Sequence, residues 1–182
     1  ISIDEYFKCK QENRVPKNKF LITFDDGFRN LHSHALPILK EFSYSAVVFL
    51  VTDYIGKNAD WIRRDEQTII DRLIPNISWT EEQLNAEMGR LREMAGYPLL
   101  TWEEIEEMAQ AGIEFHSHSH THPFISTINA EALKSELAQS KTIVEDKLQK
   151  KMDGFCYPYS DYHNPEVARL LSETGYQGAF VG

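Results

Sequence analysis

The chain has 182 residues, 42% of them in the hydrophobic class and 26% charged, an ordinary globular balance that excludes disorder as the main state. Acidic residues outnumber basic ones, 28 to 19, and a net charge of -9 argues against general binding to nucleic acid or to an anionic membrane. The longest apolar run, SAVVFLV around Val48, is far short of the roughly 20 residues that a membrane span needs.

No secretion signal opens the sequence, since Ile1–Phe7 is mixed and acidic. The absence of an initiator Met reads as a trimmed or mature piece. Two cysteines far apart, Cys9 and Cys156, make no disulfide framework; one surface and one core cysteine are expected.

In chain order, Lys19–Phe24 (KFLITF) predicts a buried strand, and Ser33–Phe42 a helix with Leu36, Ile38 and Leu39 on its apolar face. Ser45–Val51 predicts a second buried strand. Asp53–Leu100 then interrupts the rhythm with a long connection carrying Trp61, Trp79 and a helix opened by T-E-E-Q at Thr80–Gln83. It reads either as a surface insertion with its own small core or as a wall of a substrate groove. Thr101 opens a helix with a capping box, and Gly112 closes it. Ile113–Phe115 predicts a strand, Asn129 caps a long helix striped with Leu133, Leu137, Val144 and Leu148, and Gly154–Tyr157 predicts another strand. Pro165 starts a helix that Gly175 stops, before a last strand at Gln177–Val181. Strands alternating with helices imply an α/β fold with parallel pairing, either a doubly wound sheet or a β/α barrel. Five clear strands are too few for a closed barrel of eight.

Three polar clusters each follow a strand: Asp25-Asp26-Gly27, His116 through Pro123, and Tyr157-Pro158-Tyr159. In a parallel α/β fold all three strand ends meet at one edge of the sheet, where such folds place their sites. The second cluster holds four of the chain's seven histidines. His118 and His122 are spaced i, i+4, so one helical turn would bring both imidazoles to one metal, with His120 pointing elsewhere. An Asp with two His makes a three-ligand set with open positions for water and substrate. The second carboxylate is then free to act as general base. The competing readings are an Asp26 helix cap, a solvated histidine loop and a core-packing Tyr-Pro-Tyr turn.

The residues resemble the polysaccharide deacetylases of the NodB-homology family of carbohydrate esterases. Thr23-Phe24-Asp25-Asp26-Gly27 matches the family's first motif, and His118-Ser119-His120-Thr121-His122 its second. Phe155-Cys156-Tyr157-Pro158-Tyr159 stands at the third, with Cys156 where the family places an Arg beside the base. That form is similar to the branch acting on β-1,6-linked N-acetylglucosamine polymers. The resemblance covers about residues 17–182 apart from the insertion at about 53–100. It implies a distorted (β/α) barrel, one domain over 1–182, that removes N-acetyl groups from a sugar polymer. By motif, Asp25 is the general base, and Asp26, His118 and His122 hold one divalent metal, zinc by default with cobalt or nickel as substitutes. Tyr159 lends its backbone N–H to the oxyanion, and Tyr157 and Pro158 line the substrate site. It also implies an N-acetylated glycan as partner and a cell-surface, periplasmic or secreted location. The family's late motifs, including its general acid, are not found before Gly182, so the domain is expected to lack its last strands. The open side then calls for self-association or for those strands. His32, His34 and His163 match no motif. Two rival functions are a NodB-fold amidase on small cyclic imides or ureides, and a non-catalytic metal-holding carbohydrate-binding module.

Overall fold

The computed structural model describes residues 1–73, 79–163 and 165–182. Its strands are β1 (Thr23–Phe24), β2 (Val47–Leu50), β3 (Glu114–Ser117), β4 (Gly154–Cys156) and β5 (Gly178–Phe180). Its α-helices are α1 (Ile3–Gln11), α2 (Leu36–Glu41), α3 (Trp61–Arg64), α4 (Glu66–Leu73), α5 (Glu81–Met94), α6 (Trp102–Gln110), α7 (Ala130–Leu148) and α8 (Val167–Glu173).

The five strands pair in parallel in the order β1-β2-β3-β4-β5. A doubly wound sheet reverses its order at a switch point, whereas a β/α barrel adds every strand on the same side. The monotonic order therefore selects the barrel type, here a curled half-barrel. Side chains alternate across it, as the pleat requires. Val48, Leu50, Phe115 and Phe155 pack with Leu36, Ile105, Leu133, Leu137 and Leu170 of the helices. Val47, Phe49 and Cys156 face the other way, onto Ile3 and Phe7 of α1. Both faces are buried, which is why these strands read as continuous apolar runs.

Local signals set the ends as expected. Thr101 and Thr80 each form a complete capping box, and Asn129 caps α7 through Ala132 N–H. Leu133, Leu137 and Val144 are buried along α7. Three expectations need correction. The first strand is only Thr23–Phe24, because the chain before Val47 is still turning out of α2 and offers Lys19–Leu21 no strand partner. Ile38 is 56% exposed; a π-helical turn at Leu31–Ala35 precedes α2 and leaves only Leu36 and Leu39 on the buried face. Cys9 is buried like Cys156, since α1 lays its apolar side on the sheet, and both thiols are free.

The segment between β2 and α6 is helical, with α3, α4 and α5, and 74–78 lie outside the described residues. It has its own core of Ala59, Trp61, Ile62, Ala95 and Leu99 around Val51. Among the described residues no helix is long and apolar enough to cross a membrane.

The contact between α1 and the sheet depends on two glycines. A Cβ on Gly154 would stand 2.6 Å from Ile3 Cδ1, and one on Gly178 would stand 2.5 Å from Phe7 Cε1. Gly178→Ala is expected to destabilise the protein by about 1–3 kcal/mol through overpacking. Gly89→Ala, on α5 with nothing within 4 Å, should instead stabilise by up to about 1 kcal/mol through helix propensity. Urea unfolding of both variants checks the contrast, and a neutral Gly178→Ala would refute the close approach.

Candidate active site

The ends of β1, β3 and β4 lie at one edge of the sheet, because their strands run parallel. Asp25, Asp26, His118, His122, Tyr157 and Tyr159 all line one pocket there, of about 270 Å³. Pro158 is buried and does not line it. Trp61, Ile62, Ile69, Leu91 and Met94 supply the apolar wall, so the long connection is both a packed insertion and a wall of the pocket. Trp79 is 37% exposed and takes no part in that wall.

The centre of the pocket is Asp26. Its Oδ1 lies 3.4 Å from His118 Nε2 and 3.3 Å from His122 Nε2. Charge-assisted hydrogen bonds are shorter, about 2.7–2.9 Å. Ligands at 2.0–2.1 Å around a tetrahedral ion, by contrast, stand about 3.3–3.4 Å apart. Both distances from Asp26 thus match ligands of a shared ion, the three donor atoms lie within 4.8 Å of one another, and one carboxylate with two imidazoles is the chemistry of zinc-type sites. The two imidazole side chains are 4% and 5% exposed while Asp26 keeps 25%, so the triad's free side faces the pocket. The residues present therefore fit a divalent metal.

The two histidines are held differently. His118 Nδ1–H donates to the Cys156 carbonyl at 2.9 Å, which leaves the Nε2 lone pair facing Asp26. His122 Nδ1 is buried without a hydrogen-bond partner. Its ring stacks on Trp61 at 4.9 Å between centroids and meets the Tyr159 ring edge-on at 4.5 Å. Burial alone would raise the Asp26 carboxyl, but the two imidazoles outweigh it and hold Asp26 well below the usual carboxylate range. His118 is shifted upward: burial opposes its charge, and Asp26 overcomes that. Burial dominates at His122 and shifts it downward.

His118 and His122 converge without a helix, contrary to the sequence expectation. After β3 the chain folds on its own serines: Ser117 Oγ accepts from Ser119 N–H and Ser119 Oγ from His122 N–H, both at 3.0 Å. These short side chain-to-backbone bonds compete with helix and build a turn instead. Glu136 of α7 fastens the loop from behind, accepting from the N–H groups of His120 and Thr121 at 2.8 Å. His120 turns away and meets Thr52 Oγ1 at 2.9 Å. Asp26 is not a helix cap; it sits in the left-handed region at φ 69°. Among the described non-glycine residues with positive φ, Asp26, Ser119, His122, Tyr159 and Ser160 all fall in the strand-end turns. Strain concentrated there marks a constrained site.

Asp25 stands beside the Cys156 thiol, and burial with that neighbouring carboxylate pushes the thiol pKa up. Sequence reasoning missed a further group. Arg64 forks onto both Asp65 oxygens at 2.7 Å, Asp65 Oδ2 accepts from Tyr159 O–H at 3.0 Å, and Arg64 also donates to the carbonyls of Thr121 and His122. An Arg-Asp pair in a charged insertion carries no local signal for this. His32 pairs with Glu107 on the surface, and exposed His163 packs on Tyr162, outside the pocket.

A half-barrel with its site at the carboxyl edge of the strands defines a class, and the sequence comparisons agree with it. The family model for polysaccharide deacetylase matches residues 12–179, and the chain belongs to that family. It is 25% identical to YxkH of Bacillus subtilis over 167 residues, covering 92% of this chain and 46% of that protein. It is 22% identical to a poly-beta-1,6-N-acetyl-D-glucosamine N-deacetylase of Staphylococcus epidermidis over 191 residues, covering 100% of this chain and 54% of the relative. The chain thus spans about half the length of the curated relatives it matches. In fold it is similar to the Streptococcus pyogenes deacetylase PplD solved with acetate, with a TM-score of 0.70, 21% identity and coverage of 97% of this chain and 62% of that one. A pseudoenzyme from Bacillus anthracis also shares the fold, with a TM-score of 0.58, 17% identity and coverage of 92% and 44%.

The purified chain is expected to bind about one zinc-type ion under the three-ligand rule. His118→Ala and His122→Ala should abolish binding, and His120→Ala should keep it. Loading should weaken as pH falls through the His118 range, which lies above 6.5, because the ion must displace a proton there. Elemental analysis and a metal titration at several pH values check this; full loading of the double His118/His122 variant would refute it.

Proposed function

We propose that this chain carries the centre of a metal-dependent deacetylase acting on an N-acetylated sugar polymer, with a β-1,6-linked N-acetylglucosamine chain as the first substrate to test. The observation that carries this reading is the Asp26–His118–His122 spacing of 3.3 and 3.4 Å, with Asp25 beside it in the same pocket. The similarity to the staphylococcal poly-beta-1,6-N-acetyl-D-glucosamine N-deacetylase supports the choice of polymer. Asp26, His118 and His122 would hold the ion, with zinc as the default and cobalt or nickel as substitutes. When bound, the ion supplies Lewis acidity at an acetamide carbonyl and lowers the pKa of water at its open positions.

The chain's own residues do the rest. Asp25 takes the proton of the attacking water. Tyr159, in the left-handed turn after β4, offers its backbone N–H to the carbonyl oxygen as charge develops there. Asp25 and Asp26 both line the pocket, and Asp26 is committed to the ligand set, which leaves Asp25 as the base. The leaving amine must be protonated in turn, by the family's general acid, which no motif in these residues supplies, and the proton on Asp25 passes to solvent. Water's oxygen joins the acetyl carbon, the C–N bond breaks, and acetate and a free amino sugar result.

The two aspartates should separate in a metal titration run beside an acetate-release assay. Asp25→Asn is expected to keep the ion and lose turnover by a factor on the order of 100–10,000, the usual reach of general-base catalysis. Asp26→Asn should lose the ion itself. Full turnover in Asp25→Asn, or acetate release that survives chelation, would overturn the proposal.

A further inference from the structure

A metal-ligating histidine is ordinarily oriented by a hydrogen bond from its other ring nitrogen. His118 has that bond, to the Cys156 carbonyl. His122 lacks it, with Nδ1 buried and unpartnered. Something else must fix the His122 ring, because its backbone stands at φ 59°, a region that non-glycine residues avoid unless held.

The insertion supplies what is missing. Arg64 Nη2 donates to the His122 carbonyl at 3.0 Å, and Nη1 to the Thr121 carbonyl at 2.9 Å. The guanidinium is itself fixed by the two-point contact with Asp65, both bonds being 2.7 Å. Asp65 Oδ2 also accepts the Tyr159 hydroxyl at 3.0 Å, and the Tyr159 ring packs edge-on against the His122 imidazole. One ion pair therefore grips the backbone of the second histidine and the side chain of the residue beside it. A lysine could not replace the fork, because its ammonium has no planar pair of donors.

We infer that Arg64 and Asp65 are positioning residues for the centre. They hold His122 in ligating geometry in place of the absent ring hydrogen bond, and they tie that ligand to Tyr159. The inference rests on the reading of Asp26, His118 and His122 as a metal site. It assigns the insertion a role beyond that of a pocket wall.

The test is the metal dissociation constant, measured by competition with a chromophoric chelator, beside the melting temperature of the metal-free protein. Arg64→Ala is expected to weaken metal binding about 10- to 100-fold, the usual effect of removing an outer partner of a ligand. Asp65→Asn and Arg64→Lys should weaken it in the same direction, and both keep the shape of the site should Arg64→Ala fail to fold. Asp65→Asn should also lower kcat more than it raises KM, because the Tyr159 hydroxyl loses its anchor. Arg63→Ala, whose side chain pairs with Asp60 on the surface, should bind metal like the parent. Parent-like metal affinity in folded Arg64→Ala and Asp65→Asn would overturn the inference. So would a fall in the metal-free melting temperature that accounts for all of the affinity lost. If the parent protein binds no ion at all, the metal reading falls first and the inference with it.

Discussion

One carboxylate between two nearly buried imidazoles sets the demands that the rest of the molecule meets. Asp26, His118 and His122 present their donor atoms to a common point while little water reaches the rings. Burying three polar groups costs free energy unless each is compensated. Here the compensation is mutual: the imidazoles keep the carboxylate ionised, and the carboxylate favours charge on His118. Such a set cannot be assembled by flexible loops, because small errors in donor position forfeit the compensation. The turns that carry it are left-handed at Asp26, Ser119, His122 and Tyr159, so they need a rigid base.

The sheet is that base. The ends of β1, β3 and β4 deliver residues as far apart in sequence as Asp25 and Tyr159 to one edge, and the register of β2 with β3, which lies between them, is continuous over four residue pairs. Its rigidity comes from burial on both faces. The long helices cover one side, and α1 covers the other through Ile3 and Phe7 against glycines. On that second face α1 packs against Val47 and Phe49 of β2 and Cys156 of β4. The loops on top are then fastened twice, by Glu136 from the helical layer and by Arg64 from the insertion.

Much of this was legible in the sequence, for identifiable reasons. Periodicity and capping depend on nearby residues, so the strands at Val48 and Phe155 and the helices opened by Thr80, Thr101 and Asn129 could be read directly. The convergence of Asp25-Asp26, His118–His122 and Tyr157–Tyr159 followed from parallel pairing alone. What failed was tertiary. The i, i+4 spacing suggested a helix at His118–His122, but Ser117 and Ser119 bond their own backbone and make a turn. One cysteine was expected at the surface, yet Cys9 is buried like Cys156, because its helix turns that one side inward between exposed lysines. Trp61 and Arg64 sit in a charged segment whose local pattern says nothing of a partner more than fifty residues ahead.

That last failure bears on how function is held in this fold. A pseudoenzyme of similar architecture shows that the half-barrel does not by itself secure turnover. The fold brings strand ends together, but the donor set and its supports decide what the edge can do. In this chain all three donors are present and their spacing suits an ion. Yet one of the two histidines relies on an element that lies outside the motifs. An Arg-Asp pair within the insertion takes the place of a ring hydrogen bond, so a segment that carries none of the motifs supports one of the constrained residues of the site. Substitutions at Arg64 or Asp65 would leave every motif intact and still loosen the centre. For a chain of this kind, the motif residues identify the chemistry, and the long connection determines whether the second imidazole is in place to take part in it.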